Sequence, residues 1–297
     1  SGTDALSIAI EAAGIRRGSK IATVGNSAPA TTTAIEQAGC CPVMVDIGQD
    51  GLLDPVRLFD LPPDIRAVVP VHLYGNPCDI DAIRFWSDHR GGVPIVYDAC
   101  QAIGSTYGKR KATSSGIASA ISFYPTKNLG ALGDGGAVLT NDPNIVEIAR
   151  QIRNYGFVRR DSPERLGMNS RLDEIQAAIL RAKLPGLDRI NRERRRLAAA
   201  YDRSIPARFR IPRKSGSNCH LYTIQHPRSD AVRKRLHAAG ISTGRHYPIP
   251  ACHYAQLGEL CGALRTHDWC EQTITLPLWP GMPESVIETV SRVLAKT

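Results

Sequence analysis

Short apolar runs separated by helix-length stretches constrain the fold of this chain more than any other feature. Lys20 to Val24 (KIATV), Pro42 to Ile47 (PVMVDI) and Ala67 to His72 (AVVPVH) each have the composition of a buried strand. A segment long enough for a helix lies between each pair, the rhythm of a parallel sheet with crossover helices. Two further runs extend the pattern: PIVYDACQ at Pro94 to Gln101, and the apolar stretch Ala120 to Phe123. The expectation is an α/β fold with a mostly parallel central sheet flanked by helices. Open sheets of this kind gather ligands at the carboxyl ends of their strands. Asp98 is predicted at one such end.

The run Ala120 to Phe123 stops at Tyr124-Pro125, where proline ends regular pairing. Lys127 follows, in a loop closed by Gly130, Gly133, Gly135 and Gly136. An amine between a buried strand and such a loop can be desolvated, which lowers its pKa toward the neutral, nucleophilic form. A lone lysine in a glycine-rich loop is equally at home in water. Asp98, twenty-nine positions upstream, changes the reading. A pyridoxal phosphate (PLP) enzyme requires this pair: a lysine to condense with the aldehyde, and a carboxylate to keep the pyridine nitrogen protonated.

Ser1-Gly2-Thr3-Asp4 stands directly before an apolar-periodic run and reads as a capped helix N-terminus. Backbone amides at such an end favour an anion. A plain cap is the alternative there.

SGTDAL (Ser1–Leu6), VHLYG (Val71–Gly75), DACQAIGS (Asp98–Ser105), SFYPTKNLGALGDGG (Ser122–Gly136), RNYG (Arg153–Gly156) and NSRLDEIQAAIL (Asn169–Leu180) occur in this order. Together they resemble the DegT/StrS-type nucleotide-sugar aminotransferases, within the fold-type I PLP enzymes of the aspartate aminotransferase superfamily. The motifs cover nearly the whole chain.

The resemblance implies a ping-pong transaminase. Glutamate would donate the amino group, and a keto group on a nucleotide-linked deoxysugar would receive it. Lys127 and Asp98 match the catalytic pair, with Lys127 also carrying the proton. Gly2, Thr3 and Ser122 match phosphate contacts, and Gln101 matches a glutamine beside the cofactor's phenolic oxygen. Asn169 matches an asparagine reaching the neighbouring subunit's cofactor phosphate, which implies a homodimer with a shared active site. Tyr155, Arg171, His246, Tyr247 and His72 are the substrate-side candidates; a histidine placed like His72 is also commonly a packed, hydrogen-bonded residue. The wording NSRLDEIQAA leans toward 3-keto rather than 4-keto sugars.

Several departures bear on this expectation. Ala28-Pro29-Ala30 stands where the family places an aromatic to stack on the pyridine ring. The family also carries a further N-terminal segment ahead of the Gly2-Thr3 turn, which the large domain is expected to lack. Cys252 occupies the place of a family histidine. A cofactor-binding regulator without turnover, and a transaminase acting on a cyclitol-type substrate, are the alternative readings. A sister group that replaces the lysine with histidine and dehydrates sugars is disfavoured by Lys127.

Composition excludes other classes. The net charge of +9 favours anionic partners. The densest basic run, Arg192-Glu193-Arg194-Arg195-Arg196, lies in a helical stretch without helix-turn-helix, zinc-finger or RNA-binding spacing. It reads as a solvated helix face, and no nucleic acid is expected. No apolar run approaches the ~20 residues of a membrane span. The eight cysteines are scattered through a chain too large to depend on disulfides, so a cytoplasmic protein is expected. Cys252, His253, Cys261, His267 and Cys270 lack the C-x₂₋₄-C spacing of common zinc sites. They read as packing thiols and scattered histidines, with no metal.

Pro185-Gly186 is the expected boundary between a PLP-binding large domain, residues 1–185, and a smaller α/β domain, residues 186–297. The second part is expected to hold strands at His220 to Gln225 and Ile241 to Arg245, with a helix at Ser229 to Ala239 between them. The stretch Phe157 to Arg165 has the composition of a mobile loop.

Overall fold

A computed structural model describes residues 1–253, 259–260 and 264–297. Helix α1 (Gly2–Ala12) is capped by Ser1, whose Oγ accepts the Asp4 amide at 3.1 Å. Strands β1 (Lys20–Val24), β2 (Cys41–Val45) and β3 (Ile65–Val68) are parallel, in the order β2-β1-β3, with α2 (Pro29–Gln37) crossing from β1 to β2. Helix α3 (Ile80–His89) leads to β4 (Val96–Asp98). Parallel bridges Val68–Ile95 and Val71–Asp98 carry the pairing from β3 to β4.

A small hairpin, β5 (Thr106–Tyr107) and β6 (Arg110–Lys111), precedes β7 (Ala118–Ser122). Strand β7 is parallel to β4, and β8 (Gly136–Leu139) returns antiparallel to β7. The chain continues through α4 (Pro143–Ile152), the hairpin β9 (Phe157–Arg159) and β10 (Ser162–Pro163), α5 (Glu174–Lys183) and α6 (Leu187–Ser204). Then come β11 (Tyr222–Gln225), α7 (Ser229–Ala238), β12 (Glu259–Leu260), α8 (Leu264–Gln272), β13 (Thr273–Leu276) and α9 (Glu284–Leu294). Strand β12 adds to the edge of the large sheet beside β2, whereas β11 and β13 form a separate antiparallel pair.

The large sheet is covered on both faces. Ile21 and Ala22 are neighbours in β1, yet they enter different apolar clusters, because successive strand side chains point to opposite faces. One cluster holds Leu6, Ile10 and Ile35 from α1 and α2; the other holds Ile83 and Trp86 from α3 together with Trp269 from α8. A third cluster joins Leu197 and Tyr201 of α6 to Ile224, Leu236, Ile274 and Val290. Among the described residues, no helix is long and apolar enough to cross a membrane.

Three local expectations are corrected. Residues 241–245 form no strand; only Gly244 pairs there, with Thr275, since the polar run Ser242–Arg245 lacks the apolar alternation that holds a strand in place. Residues 157–163 form the β9–β10 hairpin, turning at Asp161 with φ 60°. The arginine run is not wholly solvated. Arg194 shares the core-facing side of α6 with Leu197 and Tyr201, is 8 % exposed, and donates to the carbonyls of His220 and Leu278 at 3.0 and 3.1 Å.

Candidate active site

The carboxyl ends of β4 and β7, the first turn of α1 and the loop carrying Lys127 meet at a cleft of about 210 Å³. Gly2, Thr3, Asp98, Gln101, Ser122 and Lys127 all line it. Residues predicted from three separate stretches are therefore neighbours in space.

Asp98 ends β4 and is 6 % exposed. One carboxylate oxygen accepts the Thr31 hydroxyl at 2.7 Å and the other the Cys100 amide at 3.1 Å. Two hydrogen bonds to a charged acceptor fix its orientation.

Lys127 is held by its own loop. Its amide donates to the Tyr124 carbonyl at 2.8 Å, and the Ala131 amide to the Phe123 carbonyl at 2.8 Å. Gly130 permits the loop to close, since a Cβ there would lie 2.4 Å from the Pro125 carbonyl oxygen. Burial lowers the Lys127 pKa, and the nearby charge of Asp98 opposes that shift without cancelling it. The Cys100 thiol beside them is pushed well up by burial, so at neutral pH it is uncharged and Asp98 is the anion that counts.

The first turn of α1 presses against the sheet at Ser122, which pairs with Gly136 across β7 and β8. A Cβ on Gly136 would lie 2.3 Å from the Ser1 carbonyl oxygen. Only glycine lets the helix end approach this closely. Ser122 Oγ accepts the Tyr124 amide at 3.2 Å and keeps its own hydrogen to donate.

Gln101 is buried. Its Oε1 accepts the Tyr74 amide at 2.6 Å, and its Nε2 donates to the Tyr247 hydroxyl at 3.1 Å. Tyr247 thus reaches a cleft residue from the far part of the chain, although neither it nor His246 lines the cleft. His246 Nδ1 shares a hydrogen bond of 2.8 Å with Thr275 Oγ1, and its backbone carbonyl accepts the Tyr74 hydroxyl. Burial, then the charge of Lys127, lowers the His246 pKa. Ala28 lines the cleft where a stacking aromatic is expected in the family.

His72 is not brought to the cleft. It is fully buried and stacks on Tyr97 at 4.7 Å. Its Nδ1 accepts the Cys78 amide at 3.0 Å, which leaves Nε2 to donate to the Ala112 carbonyl at 3.2 Å. Both ring nitrogens are committed to the backbone and burial pushes the imidazole down to about 4, so it is a neutral structural residue.

Tyr155, Asn169 and Arg171 also lie outside the cleft, exposed and grouped together. The Arg171 guanidinium lies 5.9 Å from the Tyr155 ring centroid, and its Nε donates to Asn169 Oδ1 at 3.2 Å.

Sequence reasoning passed over Thr31, Cys100 and a buried amide network. Asn128, next to Lys127, accepts at Oδ1 from His220 Nδ1 at 3.1 Å and donates to Asn191 Oδ1 at 2.8 Å. Asn218 donates to the Gln101 and Ile103 carbonyls at 3.0 and 2.9 Å. Proline at the first position of α2 marks Thr31 as a first-turn residue, but no spacing links it to Asp98. The cysteine and histidine group behaves differently from the expected scatter: the donor atoms of Cys252, His253 and His267 converge, while Cys270 is buried. Cys261 lies outside the described residues.

Comparison with known proteins agrees with this geometry. The sequence profile of the DegT/DnrJ/EryC1/StrS aminotransferase family matches residues 1–295. The chain is 40% identical over 291 residues to the dTDP-3-amino-3,4,6-trideoxy-alpha-D-glucose transaminase of Streptomyces venezuelae, covering 94% of this chain and 76% of that one. The crystal structure of S. venezuelae DesV superposes with a TM-score of 0.93 at 38% identity, over 100% of this chain and 82% of that one. NtdA from Bacillus subtilis, solved with bound cofactor PMP, gives a TM-score of 0.89 at 28% identity, over 100% of this chain and 71% of that one. With its parallel sheet and its motifs in family order, the chain belongs to the DegT/DnrJ/EryC1/StrS aminotransferase family and has the fold-type I architecture of PLP-dependent transferases.

Proposed function

We propose that this chain binds PLP and transfers an amino group, with glutamate as donor, onto a keto group of a nucleotide-linked deoxysugar, the 3-keto position being preferred. One observation carries the reading: Asp98 and Lys127 open onto the same cleft as the amide-bearing end of α1. The likeness to a transaminase named for a 3-amino sugar supports the choice of position.

The residues fit the cofactor. The first turn of α1, with its glycine packed on Ser122, leaves room for a phosphate, and the Gly2 and Thr3 amides with the Ser122 hydroxyl supply donors. Asp98, oriented by Thr31 and Cys100, provides the carboxylate for the ring nitrogen. Gln101 keeps one N–H beyond the bond it gives Tyr247, which suits an anionic phenolic oxygen. When bound, PLP supplies the electron sink that stabilises a carbanion at the substrate carbon. Lys127 contributes an amine whose neutral fraction is raised by burial, so that Nζ can accept a proton and return it. His246 and Tyr247 stand on the side assigned to the nucleotide-sugar.

Tyr155, Asn169 and Arg171 are assigned to a partner subunit's cleft in a homodimer; their grouping and exposure away from their own cleft support this. We place the domain boundary at Pro185, supported by the separate apolar cluster built from α6 onward.

The test is mass-resolved product analysis with a panel of keto-sugar nucleotides and glutamate, alongside the visible absorbance of the PLP-loaded chain. Transamination of a 3-keto substrate is expected, with a band that borohydride and Lys127→Ala both abolish. A band unaffected by glutamate, with no aminated product, would leave a silent binder and defeat the proposal.

A further inference from the structure

We propose that Cys252, His253 and His267 form a binding site for a borderline divalent cation, zinc by preference, outside the cofactor cleft. The thiol sulfur and one nitrogen from each ring lie within 4.8 Å of one another, and the two rings are 5.0 Å apart between centroids. In a tetrahedral zinc site, with Zn–S near 2.3 Å and Zn–N near 2.0 Å, neighbouring donors stand roughly 3.5 Å apart. One thiolate and two imidazoles are a donor set that favours zinc over magnesium or calcium, and three protein donors leave a fourth position for water.

Independent contacts hold the two halves of the site. Cys252 and His253 sit on the turn Ala251–His253, and the Ala251 amide donates to the Gly25 carbonyl at 2.7 Å. His267 belongs to α8. The first turn of that helix is fastened to Asp46, which accepts the amides of Arg265 and Thr266 at 3.2 and 3.1 Å and the Thr266 hydroxyl at 3.1 Å. Farther along, Trp269 Nε1 donates to the Tyr74 hydroxyl at 3.3 Å, and Tyr74 also donates to the His246 carbonyl. A bound cation would therefore clip the segment carrying His246 and Tyr247 to a helix already packed on the sheet. None of the three donors lines the cofactor cleft, so the metal takes no part in the chemistry there. The spacing hid the site because its ligands come from a turn and a helix fourteen residues apart rather than from a close cysteine pair.

The tag-free full chain, stripped with a chelator, is titrated with Zn(II) and separately with Co(II). One equivalent is expected to bind, and the cobalt form is expected to show a thiolate-to-metal charge-transfer band. Zn(II) should also protect Cys252 from alkylation. His267→Asn and His253→Asn should each weaken binding at least about tenfold, since even changes beyond the ligands cost that much. Cys252→Ser should abolish the charge-transfer band. Cys270→Ser, one helical turn from His267, should leave binding unaltered. Circular dichroism confirms that each variant is folded. Binding below one equivalent, a cobalt form without the thiolate band, or affinity unchanged in either histidine variant would each overturn the proposal.

Discussion

A Cβ built on Gly2 would lie 2.7 Å from the Cβ of Ser122 and 3.0 Å from the Cys100 sulfur. The first turn of α1 packs directly on Ser122 at the end of β7, a closeness possible only because this position has no side chain. Gly2→Ala is expected to displace one element from the other, costing about 1–3 kcal/mol of stability. PLP affinity should fall more steeply than stability alone accounts for. Denaturant midpoints and cofactor titration measure the two effects separately, and an alanine variant with unchanged PLP affinity would refute the cradle.

Thr31 and Asp98 form the second relationship on which the site depends. Thr31→Val keeps the side chain's shape but removes the 2.7 Å bond to the carboxylate. A hydrogen bond to a charged group is worth roughly 1.5–3 kcal/mol, so turnover should drop about tenfold to a hundredfold if orientation of Asp98 matters to the chemistry. Single-turnover rates at saturating PLP are the appropriate readout. Thr31→Ser, which restores a hydroxyl, should recover most of the loss.

Burial lowers the Lys127 pKa, so at any pH below the ordinary lysine range a larger fraction of this amine is neutral. Brief acetylation of the cofactor-free chain, quantified by mass spectrometry, should modify Lys127 at lower pH than an exposed lysine such as Lys109. Added PLP should block it. Equal pH dependence at both lysines, once reagent access has been allowed for with a saturating label, would contradict the desolvated amine.

His72 predicts a pH dependence of stability. Its folded pKa of about 4 lies below the ordinary value of 6.5, so between these limits the unfolded chain binds more protons than the folded one. Stability from this residue is complete above about pH 6.5 and is lost as pH falls toward 4, by about 3 kcal/mol at most. His72→Gln can still serve the Cys78 amide and the Ala112 carbonyl but does not titrate. Its midpoint should be less steep in pH across that window. A slope identical to that of the parent chain would exclude His72 as the cause.

Much of the candidate site was legible in the sequence. Asp98 could be placed at a strand end by the apolar run before it, and Lys127 in a loop by Pro125 and the glycines after it. The family resemblance then supplied roles for Gly2, Thr3, Gln101 and Ser122, and all of them line one cleft. His72 misled because a histidine at a strand end looks the same in sequence whether its ring faces a ligand or the backbone. Arg194 misled for a related reason: within a run of arginines, only the packing of α6 selects the one that turns inward.

Most strand and helix positions, with Asp98 at a strand end and Lys127 in a loop, followed from apolar periodicity and local turn chemistry, which act over a few residues and are written directly in the chain. The Thr31–Asp98 bond, the reach of Tyr247 to Gln101, and the meeting of Cys252 and His253 with His267 did not. These contacts join segments 67, 146 and about fourteen residues apart, and no local preference encodes them. They exist because burying both faces of one sheet brings those segments together, and that packing was decided only by the folded chain.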